Sequence, residues 1–386
     1  MLSFTSNFKR RLRLPRLFFR KPLEIESIHG GPPLEYVRPI PQLPWRGIIA
    51  AVVLIVVGAA SAWEIYCRSI GYGPTLNDNE DLWTSARRRV KPDSFVIIGD
   101  SRGWFDLDLD ELEKGLGKRP VQLAMAGGCA YPVLADLAND KSFHGTVICS
   151  VVPRLFVAPP SSPPMDRAEK AVRRSHTQTP AQRASEYLAM PLEEHVAFLK
   201  QEELTLDDLL KRLPIPNRPN AQVRPRLPPY FGTLDRERRA RMIEGCARPG
   251  SELARMTQKI WIPLFTPPPP PTYIPEEEFE KMIGQAISQR FNDVAAAVQK
   301  LQARGGKIVF VRFPYSGELK QLEDREMPRA GIWDRVLKDT GAPGIYYEDF
   351  RDLAGFSCPE WSHLSAGDSV EFSKRLIPHL RAALEM

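Results

Sequence analysis

Two short stretches near opposite ends of the chain hold residue types that can do chemistry. The first is Gly99-Asp100-Ser101-Arg102-Gly103, directly after the apolar run Phe95-Val96-Ile97-Ile98. The second is Pro359-Glu360-Trp361-Ser362-His363. A serine hydroxyl is a weak nucleophile and needs a base. An imidazole titrates near neutral pH, so it can take the serine proton and return it to a leaving group. A carboxylate behind the imidazole fixes its tautomer and stabilises the imidazolium. Ser101, His363 and Glu360 are therefore the candidate nucleophile, base and orienting acid, with Asp349 as a substitute acid. The other histidines suit the role less well. His29 is in a basic tail, His144 precedes an apolar run, His176 and His195 lie in a proline-rich stretch, and His379 is in the last helical segment.

Gly-Asp-Ser after a first strand, with an acid-x-x-His near the end, resembles the SGNH (GDSL-type) hydrolase superfamily. More narrowly, the chain looks like its membrane-anchored bacterial members. The resemblance implies ester chemistry through an acyl-enzyme. An oxyanion needs donors aimed at the developing charge, and the Ser101 amide is one. Gln122-Leu-Ala-Met-Ala-Gly127 is similar to the superfamily's second block, in which an Asn lies five residues before a hole-forming glycine. This implies Gly127 as the second donor, with Gln122 in place of the Asn and Gly128 as the neighbouring alternative. Two departures stand out. The usual orienting residue is aspartate, whereas Glu360 is one methylene longer. The Gly-x-Asn expected after the third strand is absent, and Ser150-Val151-Val152-Pro153-Arg154 stands there instead. Losing one such donor typically costs on the order of 10²–10³ in rate. Residues 99–103 also fit the G-x-S-x-G elbow of α/β-hydrolases. That fold, however, places several strands before its elbow, and only an apolar segment and a connector precede Phe95.

Three arginines recur at expected strand ends: Arg102, Arg154 and Arg312. A guanidinium grips carboxylate or phosphate in a forked geometry, so they are candidates for substrate binding. Local pairing with Asp106, Asp108 or Glu318 is the alternative.

The elements that must position these residues are read from an alternation of apolar runs and helical periods. Strands are expected at Phe95–Ile98, Val121–Met125, Thr146–Val152, Lys307–Arg312 and Ile345–Tyr347. Helices are expected around Leu82–Val90, Leu107–Leu116 (or an irregular turn), from Val133, from Pro275 to about Arg304, over Ile332–Thr340 and from Ala366 to Leu384. The fold class is α/β: a five-stranded parallel sheet with helices on both faces, a three-layer SGNH or flavodoxin-like arrangement. Residues 154–275 interrupt it. They are dense in proline, with helical patterns over Ala181–Leu213 and Leu234–Cys246, and read as a helical insertion. The hydrolase-like domain is then 95–153 together with 276–386.

Charge is unevenly spread. Residues 1–46 carry nine Lys/Arg against three Asp/Glu, a net of +6, which equals the net charge of all 386 residues. The remainder sums to zero, so the basic balance reports one tail and not a nucleic-acid-binding surface. Gly47–Trp63 is an uncharged apolar run, extended by Ile65-Tyr66, and reads as a single membrane span over 47–66. Trp45 on one side and Trp63 and Tyr66 on the other suit the two interfaces. The positive-inside rule keeps the tail in the cytoplasm. Residues 67–386, with 67–94 as a connector, then lie outside the cytoplasm, anchored in the inner membrane. A cleaved signal at Ala60-Ser61-Ala62 and a buried core helix are the rival readings of this run. The tail itself is expected to be largely disordered, with a basic amphipathic piece at Phe8–Phe19. Five scattered cysteines show no metal-ligand spacing.

These readings converge on a membrane-anchored serine esterase or O-acyltransferase. Its expected substrate is O-acyl groups of a cell-envelope or exported polysaccharide. No cofactor, metal or nucleic acid is expected. The alternative is a catalytically weak or inactive protein of the same fold that binds glycan or scaffolds an export complex, which the missing third block favours.

Overall fold

A computed structural model describes residues 43–200, 231–267 and 270–386. Seven strands occur among them: β1 (Phe95–Ile98), β2 (Val121–Gln122), β3 (Thr146–Ser150), β4 (Gly232–Leu234), β5 (Ala240–Met242), β6 (Lys307–Arg312) and β7 (Gly344–Tyr346). Five form one parallel sheet in the order β2-β1-β3-β6-β7. Val96 lies opposite both Val121 and Val147, Ile148 opposite Val309, and Val311 opposite Ile345. β-Branched and aromatic residues fill these runs because their side chains pack well on a pleated surface. Every residue of β1, and all of β6 except Lys307, is buried, as a parallel sheet covered on both faces requires.

The helices are α1 (Trp45–Ser69), α2 (Glu80–Arg87), α3 (Ser101–Phe105), α4 (Leu109–Leu116), α5 (Ala130–Asn139), α6 (Pro153–Phe156), α7 (Pro163–Thr177), α8 (Pro180–Glu193), α9 (Glu244–Ala247), α10 (Glu252–Phe265), α11 (Glu276–Gln302), α12 (Gly317–Glu326), α13 (Arg329–Thr340) and α14 (Ala366–Ala383). Helix α11 packs between α5 and α13, while α4 packs on α14. Chain contacts divide the protein into two units, Met1–Val57 and Gly58–Met386. The sheet and everything described around it belong to the second.

Helix α1 is long and apolar enough to cross a membrane, and its apolar window is not buried. It is therefore not a core helix. The Phe8–Phe19 segment lies outside the described residues, as does the 201–213 part of the helical pattern expected over Ala181–Leu213.

Between β3 and β6 the structure corrects two expectations. Leu234–Cys246 is not one helix. It is an antiparallel hairpin of β4 and β5, then the single turn α9. Asp235 makes the turn: its carboxylate accepts from the amides of Glu237 (2.9 Å) and Arg239 (3.0 Å), and Arg238 turns with φ +60°. Such local carboxylate bonds compete with helix formation. The helix expected from Ala181 runs from Pro180 and stops at Glu193. The two-stranded hairpin is separate from the five-stranded sheet.

One buried carboxylate makes the stability of this region depend on pH. Burial pushes Glu186 on α8 up to about 7, against the opposing hydrogen bond from Asn79. The folded state thus holds this proton where the unfolded chain has lost it. Glu186 then favours folding at low pH, and that contribution is lost as pH rises from about 4.5 towards 7. Glu186→Gln is expected to match wild type in thermal unfolding below pH 4.5 and to exceed it by roughly 2 °C at pH 8. Equal melting temperatures at both pH values would show that Glu186 ionises freely.

Candidate functional site

The site is built where β1 ends. Asp100 sits between the last strand residues and α3, and caps that helix. Its Oδ1 accepts from the Arg102 amide at 2.9 Å, as N-cap carboxylates do. The same oxygen accepts from Ser150 Oγ at 2.9 Å, and Oδ2 accepts from the Val152 amide at 2.9 Å. One carboxylate therefore joins the end of β1 to the end of β3. Ser150 Oγ in turn accepts from the Gly103 amide at 3.1 Å. The two glycines of the Gly-Asp-Ser-Arg-Gly stretch are explained by this contact. A Cβ on Gly99, whose φ is +118°, would lie 2.6 Å from Ser150 O, and one on Gly103 would lie 2.6 Å from Ser150 Cβ.

Ser101 is the first residue of α3 and is half-buried. The neighbouring strand end is held close by Leu123 N to Ile97 O (2.8 Å) and Met125 N to Gly99 O (3.1 Å). The turn beyond it contains Gly127, at φ +62°. The Gly128 amide donates to Met125 O at 3.1 Å, so it is spent on the turn. The amides of Ser101 and Gly127 find no acceptor among the described residues. Gln122 serves the frame: its Nε2 donates to Gly103 O (3.1 Å) and its Oε1 accepts from the Ala124 amide (3.0 Å).

The histidine loop comes to the same place. His363 Nδ1 is 3.1 Å from Glu360 Oε1, and both side chains are buried. Glu360 Oε1 also accepts from the amides of Ser362 (3.1 Å) and His363, while Oε2 accepts from Trp261 Nε1 on α10. The carboxylate thus folds back on its own loop. Trp361 between them turns with φ +82°, a conformation costing a non-glycine residue about 1–3 kcal/mol. Its carbonyl is held by the Ser316 amide at 2.8 Å, and its indole lies where Gly317 leaves room. Asp349 is elsewhere, in an exposed two-pronged pair with Arg329 at 2.6 and 2.7 Å. It does not orient His363.

Helix α3 and the histidine loop touch at three successive points. Arg102 Nε donates to Ser362 Oγ at 3.4 Å, the Phe105 ring lies 5.0 Å from the His363 ring, and Asp106 Oδ1 accepts from the Leu364 amide at 2.8 Å. Ser101 is four residues before Phe105, on the same helix face. Ser101 Oγ and His363 Nε2 are not hydrogen-bonded; Nε2 is buried without a partner among the described residues. Phe231 and Trp261 complete the cover over the imidazole, with ring centroids 5.1 and 5.6 Å away. Both come from the segment between β3 and β6. Burial pushes the Asp106 carboxyl well above the usual carboxylate range, and its Oδ2 also has no partner among the described residues.

Two of the three strand-end arginines are paired inside the protein. Arg102 and Arg312 are buried on either side of Glu323 of α12. Arg102 Nη1 donates to Oε2 at 3.2 Å and Nη2 to Oε1; Arg312 Nη2 donates to Oε2 at 2.7 Å. Both guanidiniums lie over the Tyr315 ring, at 4.7 and 4.1 Å. Local pairing holds them, with Glu323 and not with Asp106, Asp108 or Glu318. Arg154 Nη1 donates to Phe265 O at 2.6 Å, which pins the end of α10. Phe105, Phe231, Trp261 and Glu323 are the site residues that sequence reasoning missed. Asp100, placed between a strand and a helix start, carries an N-cap signature that marks its role.

Compared with known proteins, the chain matches no family model and no curated sequence.

The Asp100 carboxylate sets a measurable cost. Asp100→Ala leaves the buried Val152 amide without an acceptor and removes the cap. It is expected to destabilise the fold by about 2–4 kcal/mol in denaturant titration. Asp100→Asn should fall between, because its amide cannot accept from Val152 and Ser150 together with Arg102. A loss under about 1 kcal/mol for the alanine variant would mean that this carboxylate does not hold the strand ends.

Proposed function

We propose that the protein is a membrane-anchored serine esterase or O-acyltransferase of the SGNH type. Ser101 would form the acyl-enzyme, His363 move the proton and Glu360 orient His363. The observation that carries this reading is the His363–Glu360 pair, buried with Nε2 left unpaired beside the helix that starts at Ser101. An unpaired buried polar atom costs about 1–3 kcal/mol, and a base reserved for proton transfer accounts for that cost. The sheet order, the serine after the first strand and the unspent amides of Ser101 and Gly127 support the same reading. The acyl substrate class, O-acylated envelope or exported polysaccharide, comes from the topology that the +6 tail implies: tail in the cytoplasm, α1 in the inner membrane, the rest outside.

A second reading has its own observations. Ser101 Oγ does not reach Nε2, and Ser150 and Val152, where a third-block asparagine is expected, are committed to Asp100. These favour an inactive binding or scaffold protein of this fold.

A fluorophosphonate probe on the full-length protein in detergent separates the two. Wild type is expected to label at Ser101, Ser101→Ala to stay unlabelled, and His363→Gln to label more slowly by on the order of 10²–10³. Folded wild type that resists the probe would favour the binding reading. Topology is tested apart from chemistry: a reporter fused after Met386 should be active only outside the cytoplasm, and activity inside would overturn the export argument.

A further inference from the structure

Helix α8 carries its polarity inside out. Its buried positions are Glu186, Met190 and Glu193. Both carboxylates are bonded there: Glu186 accepts from Asn79 Nδ2 at 3.2 Å and Glu193 from the Asn77 amide at 3.0 Å. The opposite stripe is Ala181, Ala184, Leu188, Pro191 and Leu192, uncharged and exposed, with Tyr187 beside it. Leu188 is 74%, Tyr187 62% and Leu192 58% exposed. A surface helix ordinarily turns its leucines to the core and its carboxylates to water. A contiguous apolar patch of this kind marks a contact surface.

The position of the patch identifies its cover. Val196 and His195 come directly after α8 and donate their amides to Leu192 O at 2.9 and 3.1 Å. His195 O accepts from Arg68 Nη2 at 2.9 Å. Glu64 accepts from the amides of Ala197 (3.0 Å) and Phe198 (3.2 Å). The C-terminal end of α8 is thus fastened to the last turns of the apolar helix α1. At that level Trp63 and Tyr66 stack with centroids 5.3 Å apart, the aromatic pair that suits a membrane–water interface.

We infer that the Ala181–Leu192 face of α8 lies on the phospholipid bilayer that α1 enters, with Tyr187, Leu188 and Leu192 among the acyl chains and headgroups. The inference rests on reading α1 as a membrane span. A span plus a helix lying in the interface fixes the rotation of the sheet domain about the membrane normal, which a span alone leaves free.

Site-directed spin labelling of the full chain tests this in nanodiscs of phosphatidylcholine and phosphatidylglycerol. The native cysteines are buried, so single cysteines can be labelled at Leu188→Cys, at Leu54→Cys in α1 and at Lys374→Cys on α14. Collision with oxygen, which concentrates in lipid, is compared with collision with a nickel chelate, which stays in water. The expected oxygen-to-nickel ratio at 188 is several-fold above that at 374 and approaches that at 54. A label at 188 as nickel-accessible as at 374, with 54 lipid-like, overturns the inference and leaves the span standing. Shielding of 188 from both reagents overturns it in favour of a protein partner or a second copy. Nickel access at 54 removes the span and the inference together.

Discussion

The three bonds of the Asp100 carboxylate hold the functional end of the sheet in shape. Parallel strands diverge once their ladder stops, and β1 and β3 would part after Ile98 and Ser150. Asp100 crosses that gap with a charge-assisted bond to each side and caps α3 with the same group. The close approach it enforces leaves no room for a side chain at Gly99 or Gly103. Ser101 is therefore presented by a helix start whose direction is fixed by the neighbouring strand. The residues at and after the end of β3, Ser150 and Val152, are bound to Asp100 in the same way.

Buried charge is the second constraint. Two guanidiniums share Glu323 in a dry setting, with the Tyr315 face against both. Desolvation opposes all three charges, and the paired arginines hold the Glu323 carboxyl below its usual range against it. Removing one member of such a set costs more than the set contributes, because a bare charge remains. The triad has a structural use. Arg102 comes after Ser101 in the chain and bonds Ser362, which precedes His363. The candidate nucleophile and base are thus each one residue from a contact that joins their elements.

The parts of the fold legible in the sequence are those whose causes are local. β1, β3 and β6 are apolar runs, and α11 has acidic residues at its start and a closing Gly305, so their existence could be read; the bounds of β1 and β6 could be read as well, whereas β3 stops at Ser150, two residues short of the expected Val152, whose amide bonds Asp100. β2 stops at Gln122, short of the expected Met125, and there the Gln122 side chain bonds the Gly103 carbonyl on α3 and the Ala124 amide just ahead of it. No local pattern carries that. The hairpin at 232–242 looked helical because apolar spacing is shared by short strands and helices, and the Asp235 turn decided the matter. The Glu360–His363 proximity was legible, three residues apart in one loop. The arginine pairing was not, since Glu323 is 221 residues from Arg102.

The aromatic shell around His363 decides what the site can do. With Phe105, Phe231 and Trp261 against it, the imidazole is 1% exposed. A low-dielectric shell strengthens the bond to Glu360 and equally raises the cost of an unpaired Nε2. That cost vanishes when a hydroxyl or a water reaches the nitrogen, so the buried ring is under a standing bias to gain a partner. Two of the three aromatic residues belong to the segment between β3 and β6, and Trp261 is further bound to Glu360. The segment that interrupts the sheet therefore controls access to the candidate base. Phe105 supplies the third ring from the helix that starts at Ser101, so α3 and the inserted segment share the seal over the imidazole. Any hydroxyl or water that reaches Nε2 must therefore displace part of this aromatic cover.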